Sequence, residues 1–130
     1  MGQQQLLLIV LGVIIVGIAI VVGINLFNAN SISSNRDAVI GDLNNLAVLA
    51  HEYYRKPAAF AGGGNSFVSY VIPSTLASNA NGTYTIATAG STTGITFQGT
   101  GTQIVSGGNY VLAKIFVKVP PLADSVSVIY

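Results

Sequence analysis

The sequence predicts an α+β protein in which a long N-terminal helix, first hydrophobic and then amphipathic, packs on a small C-terminal antiparallel β-sheet. Three observations predict this fold class. An uninterrupted apolar segment covers 6–24, a helical pattern of apolar residues continues to Pro57, and short β-branched runs separated by Gly, Asn and Pro follow. The chain therefore divides into a hydrophobic helix at 1–27, an amphipathic helix at 28–57 and a sheet domain at 58–130.

The composition excludes several classes of protein. Only 7% of the 130 residues are charged and 51% are hydrophobic, whereas a soluble domain carries about a quarter charged residues. The formal net charge of +1 is too small for a basic face that neutralises phosphates, so no nucleic-acid partner is evident. The chain has no cysteine and one histidine, which excludes disulfides, thiolate metal sites and a multi-histidine site within one chain.

The apolar segment at 6–24 is predicted to enter a membrane. It consists of 15 Leu, Ile or Val residues, three Gly and one Ala, without a polar side chain. As a helix it is about 28 Å long, close to the thickness of the hydrocarbon core of a bilayer. On the insertion scale its aliphatic side chains sum to about −6 kcal/mol, so insertion is favoured over exposure to water.

Three interpretations of this segment compete: a cleaved secretory signal, a plain single-pass anchor, and a helix that leaves the bilayer to pack against copies of itself. The segment exceeds the usual length of the apolar part of a signal sequence, and residues 1–5 lack Lys and Arg. Ala19 and Gly23 form a small-xxx-small pair, which lets membrane helices approach closely. We expect packing against identical copies to involve Leu6, Leu11, Gly12, Ile15, Gly17, Ala19 and Gly23.

From Ile32 onward, apolar residues recur at three- and four-residue steps, which indicates an amphipathic helix with one buried face. Pro57 ends it, since proline lacks the amide N–H and restricts the residue before it. The join at 23–35 is rich in Asn and Ser, which compete with helical hydrogen bonds, so we expect a bend, an unwound stretch or a frayed turn there.

The remainder predicts an antiparallel meander of about four strands after a flexible loop at 58–65. A weak strand is predicted at 67–72, and firmer strands at 83–89, 95–98, 110–119 and 126–130, with turns at 90–94, 99–101, 107–109 and 120–124. A sheet this small needs a second layer to bury its apolar face, and we expect the amphipathic helix to form that layer. The predicted helix–sheet core is Val39, Leu43, Leu46, Ala50, Val111, Ile115 and Val117.

The sequence contains no catalytic constellation, and we expect a protein that is not an enzyme and has no cofactor. His51-Glu52 begins a zinc-protease motif, but Arg55 stands at the place of the second histidine. The glycines at 62–64 lack the Lys-Ser/Thr of a phosphate-binding loop. Asn81-Gly82-Thr83 matches a glycosylation sequon, although Asn-Gly before a strand is first of all a turn.

Met1-Gly2-Gln3-Gln4-Gln5, followed by the apolar segment, an amphipathic helix and a C-terminal sheet, resembles the type IV pilin superfamily. The resemblance covers the whole chain in architecture and residues 1–27 in motif. It implies a pilin-like fold, cleavage by a prepilin peptidase between Gly2 and Gln3, a pilus assembly machinery as partner, and helices packed into a filament core. The chain diverges in having Leu6–Leu8 where most relatives carry a glutamate.

We therefore expect a structural subunit of a cell-surface helical filament, a homopolymer that polymerises by burying its N-terminal helix. Its subunits would reside in the inner membrane before assembly and would form an extracellular, cell-surface filament after it. Two alternatives stay open: a pseudopilin or minor pilin of a secretion or pilus apparatus, and a monomeric, membrane-anchored binding module. The sequence leaves the use of the filament open among adhesion, motility, DNA uptake and surface colonisation.

Overall fold

The computed structural model describes residues 2–119 and 124–130. As the sequence predicts, the chain is an α+β protein with one long, apolar N-terminal helix and an antiparallel sheet. The sheet has five strands in chain order, each hydrogen-bonded to the next. The elements are α1 (Gly2–Arg55), a short 3-10 helix (Ala58–Phe60), β1 (Ser78–Asn79), β2 (Gly82–Thr88), β3 (Gly94–Ser106), β4 (Asn109–Lys118) and β5 (Ser125–Val128).

The chain forms two compact units, Met1–Ser31 and Ile32–Tyr130. The first contains the apolar part of α1, and the second contains the rest of α1 and the sheet. Residues 23–35 are helical throughout, so the unwound stretch or frayed turn expected there is wrong. Asn and Ser cost a helix only a few tenths of a kcal/mol each, and the amide of Asn35 bonds to the sheet instead of its own backbone.

The loop after α1 is tied to the end of the helix, which differs from the flexible loop that its glycines predict. The N–H of Gly63 donates to the carbonyl oxygen of Tyr53 at 2.7 Å, and the N–H of Gly64 donates to that of Lys56 at 3.0 Å. A Cβ on Gly63 would lie 1.8 Å from another backbone oxygen, so a larger residue does not fit. The loop thus satisfies carbonyl groups that a helix leaves unpaired at its end.

The core of the second unit is one buried cluster that joins a face of α1 to a face of the sheet. Phe67 and Phe97, both 0% exposed, are its largest side chains. Tyr54 stacks on Phe67 with a ring distance of 4.8 Å, and Tyr70 meets Phe97 edge-on at 5.6 Å. The structure buries all residues predicted for the helix–sheet core to 2% exposure or less: Val39, Leu43, Leu46, Ala50, Val111, Ile115 and Val117.

The weak strand expected at 67–72 is wrong, because the backbone turns there. The N–H of Tyr70 donates to the carbonyl oxygen of Phe67 at 3.2 Å, and Ser69 has a positive φ of 66°. The N–H of Phe67 donates to the carbonyl oxygen of Ser91 at 3.0 Å. The apolar residues of this segment therefore reach the core from a turn and not from a pleated strand: Phe67 is buried, and Tyr70 and Ile72 pack against the cluster.

The turn expected at 99–101 is also wrong, since these residues continue β3 between β2 and β4. Glycine is needed here because α1 passes close to the sheet. A Cβ on Gly99 would lie 2.6 Å from Cγ1 of Val39, and a Cβ on Gly101 would lie 2.1 Å from Oδ1 of Asn35. Both glycines mark a close approach between helix and strand.

The remaining turns follow the sequence more closely. Gly107 and Gly108, with φ of 58° and 80°, form the two-residue turn between β3 and β4, as hairpin chemistry predicts. Most of the turn expected at 120–124 lies outside the described residues. The additional strand β1 pairs with the start of β2 across Ala80 and Asn81, so the sheet has one strand more than the sequence suggests.

Candidate assembly surface

The apolar part of α1 has no covering partner in its own unit. Every large side chain from Leu6 to Phe27 is at least half exposed, from 50% at Val22 to 71% at Phe27. The apolar side chains cover the whole circumference of the helix, so no polar face remains for water. A helix that is apolar all round is stable only inside a membrane or a protein core. This surface is therefore the candidate functional site.

The residues predicted to pack against copies divide between two sides of this helix. At 3.6 residues per turn, Gly12, Ala19 and Gly23 lie within about 40° of one another, whereas Leu6 and Gly17 lie on the opposite side. A Cβ on any of the three glycines would meet nothing within 4 Å. Ile15 lies about 40° from the first group, and Leu11 lies about 80° from it, between the two sides. Their role in packing stays a prediction, because the contacts would come from other copies.

The predicted processing site lies at the start of α1. Gly2 is the first residue of the helix, and both Gly2 and Gln3 are exposed. Gly2 has free space around its Cα. Cleavage between these residues stays a prediction.

Asn35 fixes α1 to one end of the sheet in the second unit. Its Nδ2 donates to the carbonyl oxygen of Asn81 at 2.9 Å. Its Oδ1 accepts from the backbone N–H groups of Thr102 at 3.0 Å and Gln103 at 3.4 Å. One side chain is thus hydrogen-bonded both to the residue before β2 and to β3. These bonds hold α1 against the sheet beside Gly101, where the helix and the strand approach closely.

Asp42, two turns further along α1, forms a second polar attachment. Its Oδ2 accepts hydrogen bonds from Nδ2 of Asn79 at 2.9 Å, from Nδ2 of Asn81 at 3.0 Å, and from the hydroxyl of Tyr84. Burial raises the pKa of Asp42, but the hydrogen bonds from Tyr84, Asn81 and Asn79 together leave it below its ordinary value. Burial and the bond to Asp42 raise the pKa of Tyr84 well above its usual range, so the phenol stays the donor.

We expect the stability of the fold to fall as the pH drops below about 4. Because the folded protein lowers the pKa of Asp42, the unfolded chain binds the proton first. The stabilisation is therefore present above the unfolded pKa and is lost as the pH falls through the folded one. Asp42→Asn should flatten this dependence and lower the free energy of unfolding at pH 7 by about 2 kcal/mol.

Thermal unfolding of the full chain in detergent, followed by the near-UV circular dichroism of its tyrosines between pH 7 and pH 3, measures this effect. Asp37→Asn is the matched control, because Asp37 is exposed and forms no side-chain hydrogen bond to the described residues. The control should keep the wild-type dependence. A dependence that persists unchanged in Asp42→Asn would assign it to another group.

Asn81, the acceptor residue of the predicted glycosylation sequon, is hydrogen-bonded to other residues in the folded protein. Its Nδ2, the atom that a glycan would take, donates to the carboxylate of Asp42. Its backbone carbonyl oxygen accepts from Asn35. In the folded protein the turn is Ala80-Asn81, one residue earlier than the Asn-Gly turn that the sequence predicts, and Gly82 and Thr83 begin β2.

His51 connects the far end of α1 to the start of β5. Its Nε2 lies 2.9 Å from Oδ2 of Asp124, and Oδ1 of Asp124 accepts from the N–H of Lys118 at 3.1 Å. The imidazole ring also meets the edge of Phe67 at a ring distance of 6.0 Å. This histidine serves to hold elements together. Within 2–119 and 124–130, no group of three or more His, Cys, Asp or Glu residues could hold a metal ion.

These polar attachments are not among the predictions from the sequence, although the sequence contains a signal for them. Asn35, Val39 and Asp42 follow one another at steps of four and three residues, so they lie on one face of a helix. Polar residues in line with a buried stripe indicate contacts with the packing partner. The partners on β2 and β3, in contrast, required the sheet topology.

Two further findings bear on the apolar surface. By length and composition, α1 is long and apolar enough to cross a membrane, and its most hydrophobic window is entirely unburied. Comparison with family models, with curated proteins and with solved structures finds no match to this chain. The long N-terminal helix with a small antiparallel sheet is compatible with a pilin-like fold.

Proposed function

We propose that this chain is the structural subunit of a helical filament of identical copies, similar in kind to a type IV pilus. The observation that carries the proposal is the apolar part of α1, which is exposed around its whole circumference. Such a surface needs hydrocarbon or protein around it. A bilayer covers it before assembly, and the same segments of other copies cover it in the filament.

Three glycines support packing against copies over a simple anchor. Gly12, Gly17 and Gly23 have free space in place of a side chain. In a helix that contacts only lipid, glycine lowers the stability of the helix and no close contact compensates for this loss. Between helices it allows the backbones to come close, which is what drives association in membranes where hydrophobic contrast is absent.

The second candidate is a monomeric, membrane-anchored module. It is favoured by the span itself, since one helix of this length crosses a bilayer without help. In that case the sheet would carry the binding surface of the protein. A pseudopilin that caps or primes a filament of other subunits is a variant of the first proposal.

The purified full chain tests the choice. We expect removal of detergent without lipid to yield long, uniform filaments in negative-stain micrographs, and intact mass to reveal whether residues 1–2 are absent. Short caps that form only with other subunits would favour the pseudopilin. Dispersed single copies in vesicles, with amorphous aggregate in the absence of lipid, would overturn the proposal in favour of the anchored module.

A further inference from the structure

The hairpin between β3 and β4 ends in exposed, uncharged residues. Ile104 and Tyr110 are register partners across it, and their exposed fractions are 54% and 48%. Register partners place their side chains side by side on one face of a sheet. Every residue from Gly101 to Ala113 is uncharged. We call residues 104–110 the hairpin tip, which presents an aliphatic side chain, an aromatic ring and small polar groups.

Within the second unit, β4 runs beside α1 and in the same direction. Near its beginning, Val111 lies beside the close approach of Gly101 to Asn35, since a Cβ on this glycine would lie 2.9 Å from Cβ of the valine. At its end, the N–H of Lys118 is linked through one carboxylate to His51. The strand covers seven residues between these two contacts and the helix covers sixteen. Both correspond to about 23–24 Å, so the two elements advance together.

The hairpin tip therefore points toward the end of the second unit at which α1 enters it. From Val111 back to Gly108 the strand covers three residues, which span about 10 Å. From Asn35 back to Ile32, the first residue of the unit, the helix also covers three residues, but these span only about 5 Å. The hairpin tip thus extends about 5 Å beyond the first residue of its own unit.

The predicted membrane segment is close to this end along the chain. Phe27, at the end of the hydrophobic helix, comes five residues before Ile32 in α1, a rise of about 8 Å. The headgroup layer on each side of a bilayer is itself about 5–8 Å thick. Arg36 and Asp37, the first charged residues of the chain, follow Phe27 by about 14 Å of helix, so they stay in water. A bilayer around the apolar part of α1 therefore has its surface within reach of the hairpin tip.

We infer that the hairpin tip inserts into the headgroup layer of the membrane while the subunit is unassembled, with Tyr110 and Ile104 as its contacts to lipid. Tyrosine is enriched at membrane–water interfaces because its ring is apolar and its hydroxyl stays hydrated. An uncharged tip also avoids the cost of dehydrating a charge. The inference rests on the part of the proposed function that places the apolar part of α1 in a bilayer, and it applies equally to the anchored module.

A second contact with the membrane limits how the sheet domain moves. Interfacial aromatic residues help to set the tilt and rotation of a membrane helix. The hairpin tip supplies such a contact from outside the helix, so it restrains the tilt of α1 in the bilayer. Entry of the subunit into a filament then requires the tip to leave the headgroup layer.

Tryptophan fluorescence tests the contact, because the chain contains no tryptophan. In phosphatidylcholine vesicles we expect Tyr110→Trp to emit at shorter wavelength than the control Val71→Trp. Lipids brominated close to the headgroup should quench at least about half of its emission and less than about a tenth of the control's. Val71 is 75% exposed. It follows Val68, whose carbonyl oxygen accepts from Tyr53 near the other end of the unit.

Thiol labelling measures the same contact without an aromatic probe. The chain has no cysteine, so Ser106→Cys places a single thiol on the hairpin tip and Ser74→Cys places it in the loop before β1. Both serines are exposed. In vesicles we expect a charged maleimide, which the membrane excludes, to react about tenfold more slowly with Ser106→Cys than with Ser74→Cys. The two rates should become similar after urea unfolds the sheet.

Variants at Tyr110 distinguish shielding by lipid from shielding by the fold. Adding Tyr110→Asp to Ser106→Cys should withdraw the tip from lipid and bring its labelling rate to within about twofold of Ser74→Cys. Tyr110→Phe keeps the ring and is the matched control, so its labelling should stay slow. Tyr110 is about half exposed, and we expect both variants to keep the melting temperature of the wild type in detergent.

The outcomes separate this inference from the proposed function. Wild-type filaments, together with unquenched Tyr110→Trp and equal labelling rates in vesicles, would overturn the membrane contact alone. A tip that is open in vesicles and protected only in filaments would assign the exposed pair to a neighbouring copy, which also contradicts the membrane contact. Quenching and slow labelling in a chain that never forms filaments would support the contact and overturn the proposed filament.

Discussion

Replacing Ile15 by Asp is expected to abolish filaments while the protein remains in the membrane. An Asp near the centre of a membrane helix costs about 3 kcal/mol, roughly half of what the other aliphatic residues supply, so insertion survives. In a filament core the carboxylate has neither water nor a partner, which costs several kcal/mol for every subunit. We expect filament yield to fall more than about a hundredfold.

Membrane fractionation together with negative-stain microscopy measures both parts of this prediction. Ile15→Leu keeps the apolar surface and is the matched control, so it should form filaments in normal amounts. Lys118→Asp places an Asp at an exposed position of the sheet and should also assemble. Abundant normal filaments of Ile15→Asp would show that this part of the helix is not buried between copies.

The second large effect is expected at Gly99, where Gly99→Val should lower the free energy of unfolding by about 3 kcal/mol. A Cβ there would lie 2.6 Å from Cγ1 of Val39 and 3.0 Å from the ring of Tyr84. Both neighbours are buried at 2% exposure or less, so neither side chain has space to move. The helix must therefore lift from the sheet, which opens the core.

Urea unfolding of the full chain in detergent, followed by the near-UV signal of the tyrosines, measures this change. Gln98→Val is the control, since Gln98 is the neighbour of Gly99 on the opposite face of β3. Valine suits a strand, so the control should stay within about 0.5 kcal/mol of the wild type. An equally stable Gly99→Val protein would mean that the helix has more freedom over β3 than its contacts with Val39 indicate.

The parts of the fold that the sequence predicts are those specified by local patterns. Val39, Leu43, Leu46 and Ala50 repeat at helical spacing, and β4 buries every second residue from Val111 to Val117. Each pattern is contained in one element, so its period can be recognised without knowing the partner. The parts that the sequence does not predict depend on a partner distant in the chain.

Gly99 and Gly101 illustrate that limit. In isolation a Gly-x-Gly sequence indicates a turn, and only the presence of α1 above β3 makes glycine necessary inside a strand. Asp42 shows the same limit for polar residues, because its three hydrogen-bond donors come from residues 79–84. The contacts that we propose for Ile15 lie one step further away, since their partners would belong to other copies.

The order of strands has a consequence for how the sheet forms. Each strand pairs with the next one along the chain, and the turn between β3 and β4 is only Gly107-Gly108. Short loops cost little entropy to close, so the hairpins can form one after another along the chain. Only the docking of β2–β4 onto α1 spans a long stretch of sequence. Maturation of this domain therefore requires neither a thiol oxidase nor a crossover threaded past finished strands.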